Sequence, residues 1–228
     1  MKKTVYTLNI DNYAPEITAL TYPLLKLYAR KCGAEFHIIR DRKFSEWPVT
    51  YEKLQIYEIA EDRGDDWSIY IDSDALVHPE TLDWTNFLNK DTVAHNGIDM
   101  GAVRWRYDRY FRRDGRNQGS CNWMTIASDW CRDLWHPLDI TPEEAIDAIY
   151  PTVEEINTVI TAEHLIDDYA LSRNIARYGL KTKTLISLTE EVMPGSGFYW
   201  HAYVISIPEK IEQMRQIIRN WKLEKYYD

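Results

Sequence analysis

Asp72 and Asp74 stand one residue apart, directly after the apolar run from Trp67 to Ile71. While a chain stays extended, residues i and i+2 point to the same side. Both carboxylates therefore reach one edge of whatever sheet the run joins. Two like charges that close raise each other's pKa unless a cation lies between them. Mg²⁺ or Mn²⁺ takes oxygen ligands and bridges protein carboxylates to substrate phosphates. In a transfer reaction such an ion neutralises charge building on a leaving diphosphate. The plain alternative is a solvated Asp pair in a turn, capping the next helix. The position after an apolar strand favours the metal, because ligands of open α/β sheets bind at the carboxyl ends of strands.

A second concentration of chemistry is basic. Arg104, Arg106, Arg109, Arg112, Arg113 and Arg116 alternate with Trp105, Tyr107, Tyr110 and Phe111 in an otherwise acidic chain. Guanidinium groups grip phosphates bidentately and the aromatics can stack on sugars or bases. This reads as an acceptor-binding or diphosphate-closing loop, with Arg109, Arg112 and Arg113 as its candidate contacts. The competing reading is a solvated loop that balances acidic neighbours. His37, His78, His95, His136 and His164 make no ligand-spaced cluster.

The elements that must position these residues follow from the apolar pattern. Residues 5–10 read as a buried strand ending in the turn Asp11-Asn12-Tyr13. Pro15 suits the first turn of a helix, with Ile17, Leu20, Leu24 and Tyr28 at helical spacing. Pro23 should kink or split that helix. Residues 35–39 form a second strand, 51–61 a second helix and 67–71 a third strand that is apolar throughout. Strand-helix-strand-helix-strand predicts an α/β fold, a Rossmann-like domain whose central, mostly parallel sheet is flanked by helices. Beyond it, 101–105, 123–127 and 181–187 read as strands, and 141–149 and 152–161 as weak helices. Residues 163–178 form a convincing helix stopped by Gly179. The last helix opens on the capping pattern Ser206 to Glu209, with Pro208 in its first turn. With no internal repeat, low-complexity tract or linker, the chain reads as one domain, 1–228.

With 228 residues, 45% hydrophobic and 28% charged, the chain can bury a real core. Nine Trp and 16 Tyr supply flat rings, most for the core and some for stacking on bases and sugar faces. A net charge of −9 argues against general nucleic-acid binding, which needs phosphate-neutralising Lys and Arg. Three cysteines without a CxxC pair give neither a disulfide framework nor a zinc signature, so a reducing, cytoplasmic setting fits. The basic start Met1-Lys2-Lys3 is followed by a stretch broken at Asn9, Asp11 and Asn12, so no signal segment is expected. No run approaches the roughly 18 apolar residues of a membrane span, which leaves peripheral membrane contact open.

Four separated motifs carry a resemblance. They are Asp11-Asn12-Tyr13-Ala14, Thr50-Tyr51-Glu52-Lys53-Leu54, Tyr70-Ile71-Asp72-Ser73-Asp74-Ala75-Leu76-Val77 and Asp167-Asp168-Tyr169-Ala170-Leu171-Ser172. In order and spacing they resemble the GT-A fold glycosyltransferases, in particular the group of bacterial lipopolysaccharide galactosyltransferases and glycogenin. The resemblance implies a metal-dependent transferase that moves a sugar from a nucleotide-sugar, a UDP-sugar in that family, to a carbohydrate or glycoconjugate acceptor. It also implies a nucleotide-binding half over 1–100, an acceptor half with the C-terminal helix over 101–228, retention of anomeric configuration, and Mn²⁺ or Mg²⁺ as cofactor.

The resemblance implies roles as well. Thr7, Asp11, Asn12 and Tyr13 would receive the nucleotide, Tyr13 by stacking on its base. Lys53 takes the place of a family arginine that touches the donor, and a lysine offers a point charge rather than a fork. Asp72 and Ser73 join the donor site, and Asp72, Asp74 and a C-terminal histidine, His201, are the implied metal ligands. Imidazole nitrogen suits Mn²⁺ better than Mg²⁺. Asn122 matches a family asparagine on the donor sugar, although Trp123 and Met124 follow it where the family has small residues. Asp167 would hold donor-sugar hydroxyls. Asp168 stands where the family carries Gln, near the anomeric carbon, and could act there as nucleophile or stabilise an oxocarbenium-like centre. The glycine and lysine that follow the family histidine are missing after His201, so a diphosphate contact is lost or supplied elsewhere.

Two rivals remain at this point. A phosphatase of the haloacid dehalogenase type also begins with Asp-x-Asp after a strand, but on its first strand and with Thr or Val where Leu76 stands. A non-catalytic sugar- or nucleotide-binding module would keep the fold without the chemistry.

Overall fold

The computed structural model describes residues 1–96, 121–156, 161–192, 199–202 and 205–227. Its strands are β1 (Lys3–Leu8), β2 (Glu35–Ile39), β3 (Trp67–Ile71), β4 (Leu76–Val77), β5 (Thr92–Asn96), β6 (Cys121–Ser128), β7 (Lys181–Thr184) and β8 (Tyr199–Trp200). The helices are α1 (Pro15–Lys31), α2 (Ile56–Arg63), α3 (Pro142–Ile156), α4 (Ile166–Arg177), α5 (Leu185–Val192) and α6 (Ile207–Asn220). A six-stranded sheet runs in the order β2-β1-β3-β6-β5-β7, and β4 pairs with β8 in a small second sheet. β6 is antiparallel to both of its neighbours, whereas β1, β2, β3, β5 and β7 share one direction. The expected α/β fold with a mostly parallel, helix-flanked sheet is therefore present.

Strand alternation sorts the core onto two faces. Val5, Ile69 and Ile71 cluster with Leu25, Tyr28 and Ala29 of α1. Tyr6 and Tyr70 cluster on the other face with Trp135 and with Tyr169, Leu171 and Ile175 of α4. β3 is buried along its whole length, which accounts for its unbroken apolar sequence.

Several expectations change. α1 passes through Pro23 without a break. Proline in a helix interior costs about 3 kcal/mol, and full burial of Ile17, Leu24, Leu25 and Tyr28 on both sides of it offsets that loss. The two weak helices are one, α3, opened by a reciprocal cap: the Thr141 hydroxyl accepts from Glu144 N at 3.2 Å, and the Glu144 carboxylate accepts from Thr141 N at 2.8 Å. The strand expected over 181–187 ends at Thr184, whose hydroxyl caps α5 by accepting from Ser187 N at 3.1 Å. The second helix is a 3-10 turn, Val49–Gln55, that continues into α2. The expected strand at 101–105 and the basic loop with Arg109, Arg112 and Arg113 lie outside the described residues.

Candidate metal and donor site

The chain leaves β3 at Asp72, whose N–H donates to the Trp123 carbonyl at 2.7 Å and prolongs the pairing with β6. Ala75 N donates to the Asp72 carbonyl at 3.1 Å, closing a turn. The Thr21 hydroxyl, from α1, donates to the Ser73 carbonyl at 2.6 Å and ties that turn down. β4 follows at once. It pairs antiparallel with β8, Leu76 opposite Trp200 and Val77 opposite Tyr199. Residue 201 comes directly after that pairing, so His201 arrives beside the two aspartates. Its ring stacks on Trp123 at 5.7 Å between centroids and 19° between planes.

Asp72, Asp74 and His201 each offer one ligand atom within 4.8 Å of the others, a group that could hold a metal ion. The orientation of the carboxylates makes the fit specific. Asp72 Oδ1 accepts from the Tyr70 hydroxyl at 2.5 Å and lies 3.6 Å from Lys53 Nζ. Asp74 Oδ2 accepts from Lys210 Nζ at 2.5 Å. Each carboxylate is thus anchored by one oxygen and turns the other toward His201 Nε2. Asp72 Oδ2 lies 4.0 Å from it and Asp74 Oδ1 lies 3.4 Å from it. Two carboxylate oxygens and one imidazole nitrogen suit Mn²⁺, and Mg²⁺ less well. Ligands held from behind in this way are pre-oriented for an ion.

Lys53 is 1% exposed. The 3-10 turn that carries it is fixed by buried Glu52, which accepts from Arg42 Nε at 2.8 Å and from Lys43 N and Phe44 N at 3.0 Å each. Its ammonium pairs with the Asp167 carboxylate of α4 and sits 4.4 Å from the Tyr70 ring centroid. One buried cation therefore joins Asp72 to Asp167. Burial pulls the Lys53 pKa down, but Asp167, Tyr70 and Asp72 together push it well above the usual lysine value. Burial raises the Asp72 pKa, with Lys53 opposing and Asp74 adding to the rise. Burial acts on Asp74 in the same sense, yet His201 and Lys210 outweigh it and hold that carboxyl below the usual range.

The other candidate residues fall around this centre. Asp11, Asn12 and Ala14 all adopt positive φ, at 54°, 53° and 42°, so the turn after β1 is tightly coiled. Tyr13 within it is 46% exposed. Its pKa is raised by partial burial, then by Asp74 and Asp72, which places the ring within electrostatic reach of the pair. Thr7 is fully buried in β1, and its hydroxyl oxygen has no hydrogen-bond partner among the described residues. Ser73 is buried. Asp168 is half-buried in the first turn of α4. Asn122 lies in β6 with its side chain outside the described residues.

Lys210 escaped the sequence reading. Its signal was present, because Lys210, Met214 and Ile218 recur at i, i+4 and i+8 on the buried face of α6. A lysine on such a stripe needs a buried partner. Tyr70 was quoted only as a motif residue, and its hydroxyl proves to anchor Asp72.

No family model and no curated protein matches the chain. Among solved structures it is similar to a glycosyltransferase involved in the glycosylation of the major capsid of PBCV-1. The TM-score is 0.55 and the identity 13%, over 94% of this chain and 100% of that one. It also matches A197 from STIV at a TM-score of 0.39 and 12% identity, over 81% of this chain and 82% of that one. The fold is shared with a glycosyltransferase.

Proposed function

We propose that the chain is a glycosyltransferase that uses a nucleotide-sugar, a UDP-sugar for preference, and a divalent cation, Mn²⁺ before Mg²⁺. One observation carries this reading. Asp72 Oδ2, Asp74 Oδ1 and His201 Nε2 converge at the carboxyl end of β3, while the remaining carboxylate oxygens are anchored by Tyr70, Lys53 and Lys210. That edge is where open α/β sheets bind ligands, and the fold is shared with a glycosyltransferase.

Residues 1–228 act as one domain in this reading, the first half receiving the nucleotide and the second the acceptor, in a reducing cytoplasmic setting. Thr7, Asp11, Asn12 and Tyr13 line the nucleotide end, with the exposed Tyr13 ring free to stack on the base, a contact worth about 1–3 kcal/mol. Asp72, Asp74 and His201 hold the ion, and a bound ion supplies positive charge where the diphosphate leaves. Lys53 fixes Asp167 so that its free oxygen meets donor-sugar hydroxyls, helped by Ser73 and Asn122. Asp168 faces the anomeric carbon. There the bond to the diphosphate oxygen breaks, a bond to the acceptor hydroxyl oxygen forms with retention, and the hydroxyl's proton passes to the departing diphosphate. Arg109, Arg112 and Arg113 close on the diphosphate or the acceptor, a carbohydrate or glycoconjugate.

The test is binding and slow hydrolysis of a panel of nucleotide-sugars, with Mn²⁺ and with chelator, on the wild type and on Asp74→Asn. The expected result is one preferred donor, cleaved only with metal, and a loss of at least about 100-fold in the variant. Metal-independent binding without turnover would move the chain to the non-catalytic modules. Phosphatase activity without any nucleotide-sugar would overturn the proposal.

A further inference from the structure

Lys210 does more than occupy a buried position. It reaches the candidate centre from α6, with its side chain only 8% exposed, and its ammonium rests on the one Asp74 oxygen that does not face His201. Lys53 stands in the matching place behind Asp72. The cluster thus holds three carboxylates, on Asp72, Asp74 and Asp167, and two ammonium groups, on Lys53 and Lys210. With the imidazole uncharged, it carries a formal charge of −1.

A divalent ion alone brings this half-buried cluster to +1, and low-dielectric surroundings penalise that excess. A nucleoside diphosphate returns the total to negative. Cation and diphosphate should therefore help each other bind. Were the Lys210 charge absent, the cluster would stand at −2, and a divalent ion would neutralise it without help.

We propose that Lys210 makes cation binding at Asp72, Asp74 and His201 conditional on the donor's diphosphate. Lys210 keeps Asp74 aimed at the ion while holding back the charge that a free ion would need. The inference rests on the proposed donor site, and its test separates the two. Mn²⁺ is titrated into the wild type, Lys210→Gln and Lys210→Arg, and the free ion is followed by its paramagnetic resonance signal, with and without UDP. Glutamine keeps an N–H for Asp74 without the charge; arginine keeps the charge.

The expected result is that Lys210→Gln binds Mn²⁺ without UDP about tenfold more tightly than the wild type. With UDP bound, Mn²⁺ affinity should rise by a similar factor, because the ammonium opposes the ion in both states; the gain on adding UDP equals, by reciprocity, the gain in UDP affinity on adding Mn²⁺. Lys210→Arg should follow the wild type. If Lys210→Gln binds free Mn²⁺ no more tightly while UDP still binds, Lys210 is only an anchor and the inference is overturned, with the donor site intact. Should the glutamine variant not fold, the wild type decides, because Mn²⁺ affinity that UDP leaves unchanged overturns it too. Failure of all three proteins to bind Mn²⁺ or UDP sinks the donor site itself.

Discussion

At the residue scale, the central object is the Lys53 ammonium. It is buried and shared by Asp167 and Asp72, and the ring of Tyr70 lies beneath it. Breaking such a pair leaves a buried carboxylate uncompensated, which typically costs 3–5 kcal/mol. Lys53→Met should therefore destabilise the fold by about that amount. Lys53→Met combined with Asp167→Asn should recover part of it, because the double variant removes the Asp167 charge and leaves only Asp72 without its lysine. Urea unfolding of the wild type, both single variants and the double variant measures the cycle; additive losses would show that the pair is not coupled. Donor affinity should fall in all three variants, since Asp72 loses an anchor in two of them and Asp167 is lost in the other.

At the element scale, the centre depends on structure far from β3. β4 and β8 bring His201 in, and α6 brings Lys210. These pieces are held by a separate apolar cluster in which Leu76, Met214, Ile218 and Leu223 pack with Ile17 and Leu24 of α1. Met214 is fully buried one helical turn from Lys210. Met214→Ala should cost about 2–5 kcal/mol through the cavity it leaves. It should also weaken Mn²⁺ binding in the presence of UDP, although Met214 is itself no proposed ligand. Urea unfolding together with the resonance titration checks both, and a stability loss with unchanged Mn²⁺ affinity would show that α6 does not tune the centre.

At the scale of the whole molecule, stability should depend on pH through a group outside the site. His95 is buried in β5, and neither ring nitrogen has a hydrogen-bond partner among the described residues. Burial lowers its pKa from 6.5 to about 4. The folded state therefore favours the neutral ring, and the unfolded chain binds more protons between these values. Stability is complete above the unfolded value and is lost as pH falls from about 6.5 toward about 4, by up to about 3 kcal/mol. Melting temperatures across that range should slope downward toward acid, and His95→Gln should flatten the slope. An unchanged slope in the variant would assign the acid sensitivity to other groups. No helix among the described residues is long and apolar enough to cross a membrane.

Much of this was legible in the sequence. The apolar run of β3 marked its bounds, and the Asp pair was placed at its carboxyl end, because alternation and burial of a central strand are local properties of the chain. β2 and the capped start of α6 were readable for the same reason. Other features were decided only by tertiary structure. Thr182 and Lys183 lie in β7, but the capping hydroxyl of Thr184 turns the next residues into α5. The two-residue strands β4 and β8 have no sequence period and exist through their pairing. The contact between Lys210 and Asp74 spans 136 residues, and that between Lys53 and Asp167 spans 114. Residue types and local spacing determined which carboxylates could hold an ion. Which of their oxygens is anchored, and by which lysine, was set by packing between segments whose separation along the chain carries no periodic signal.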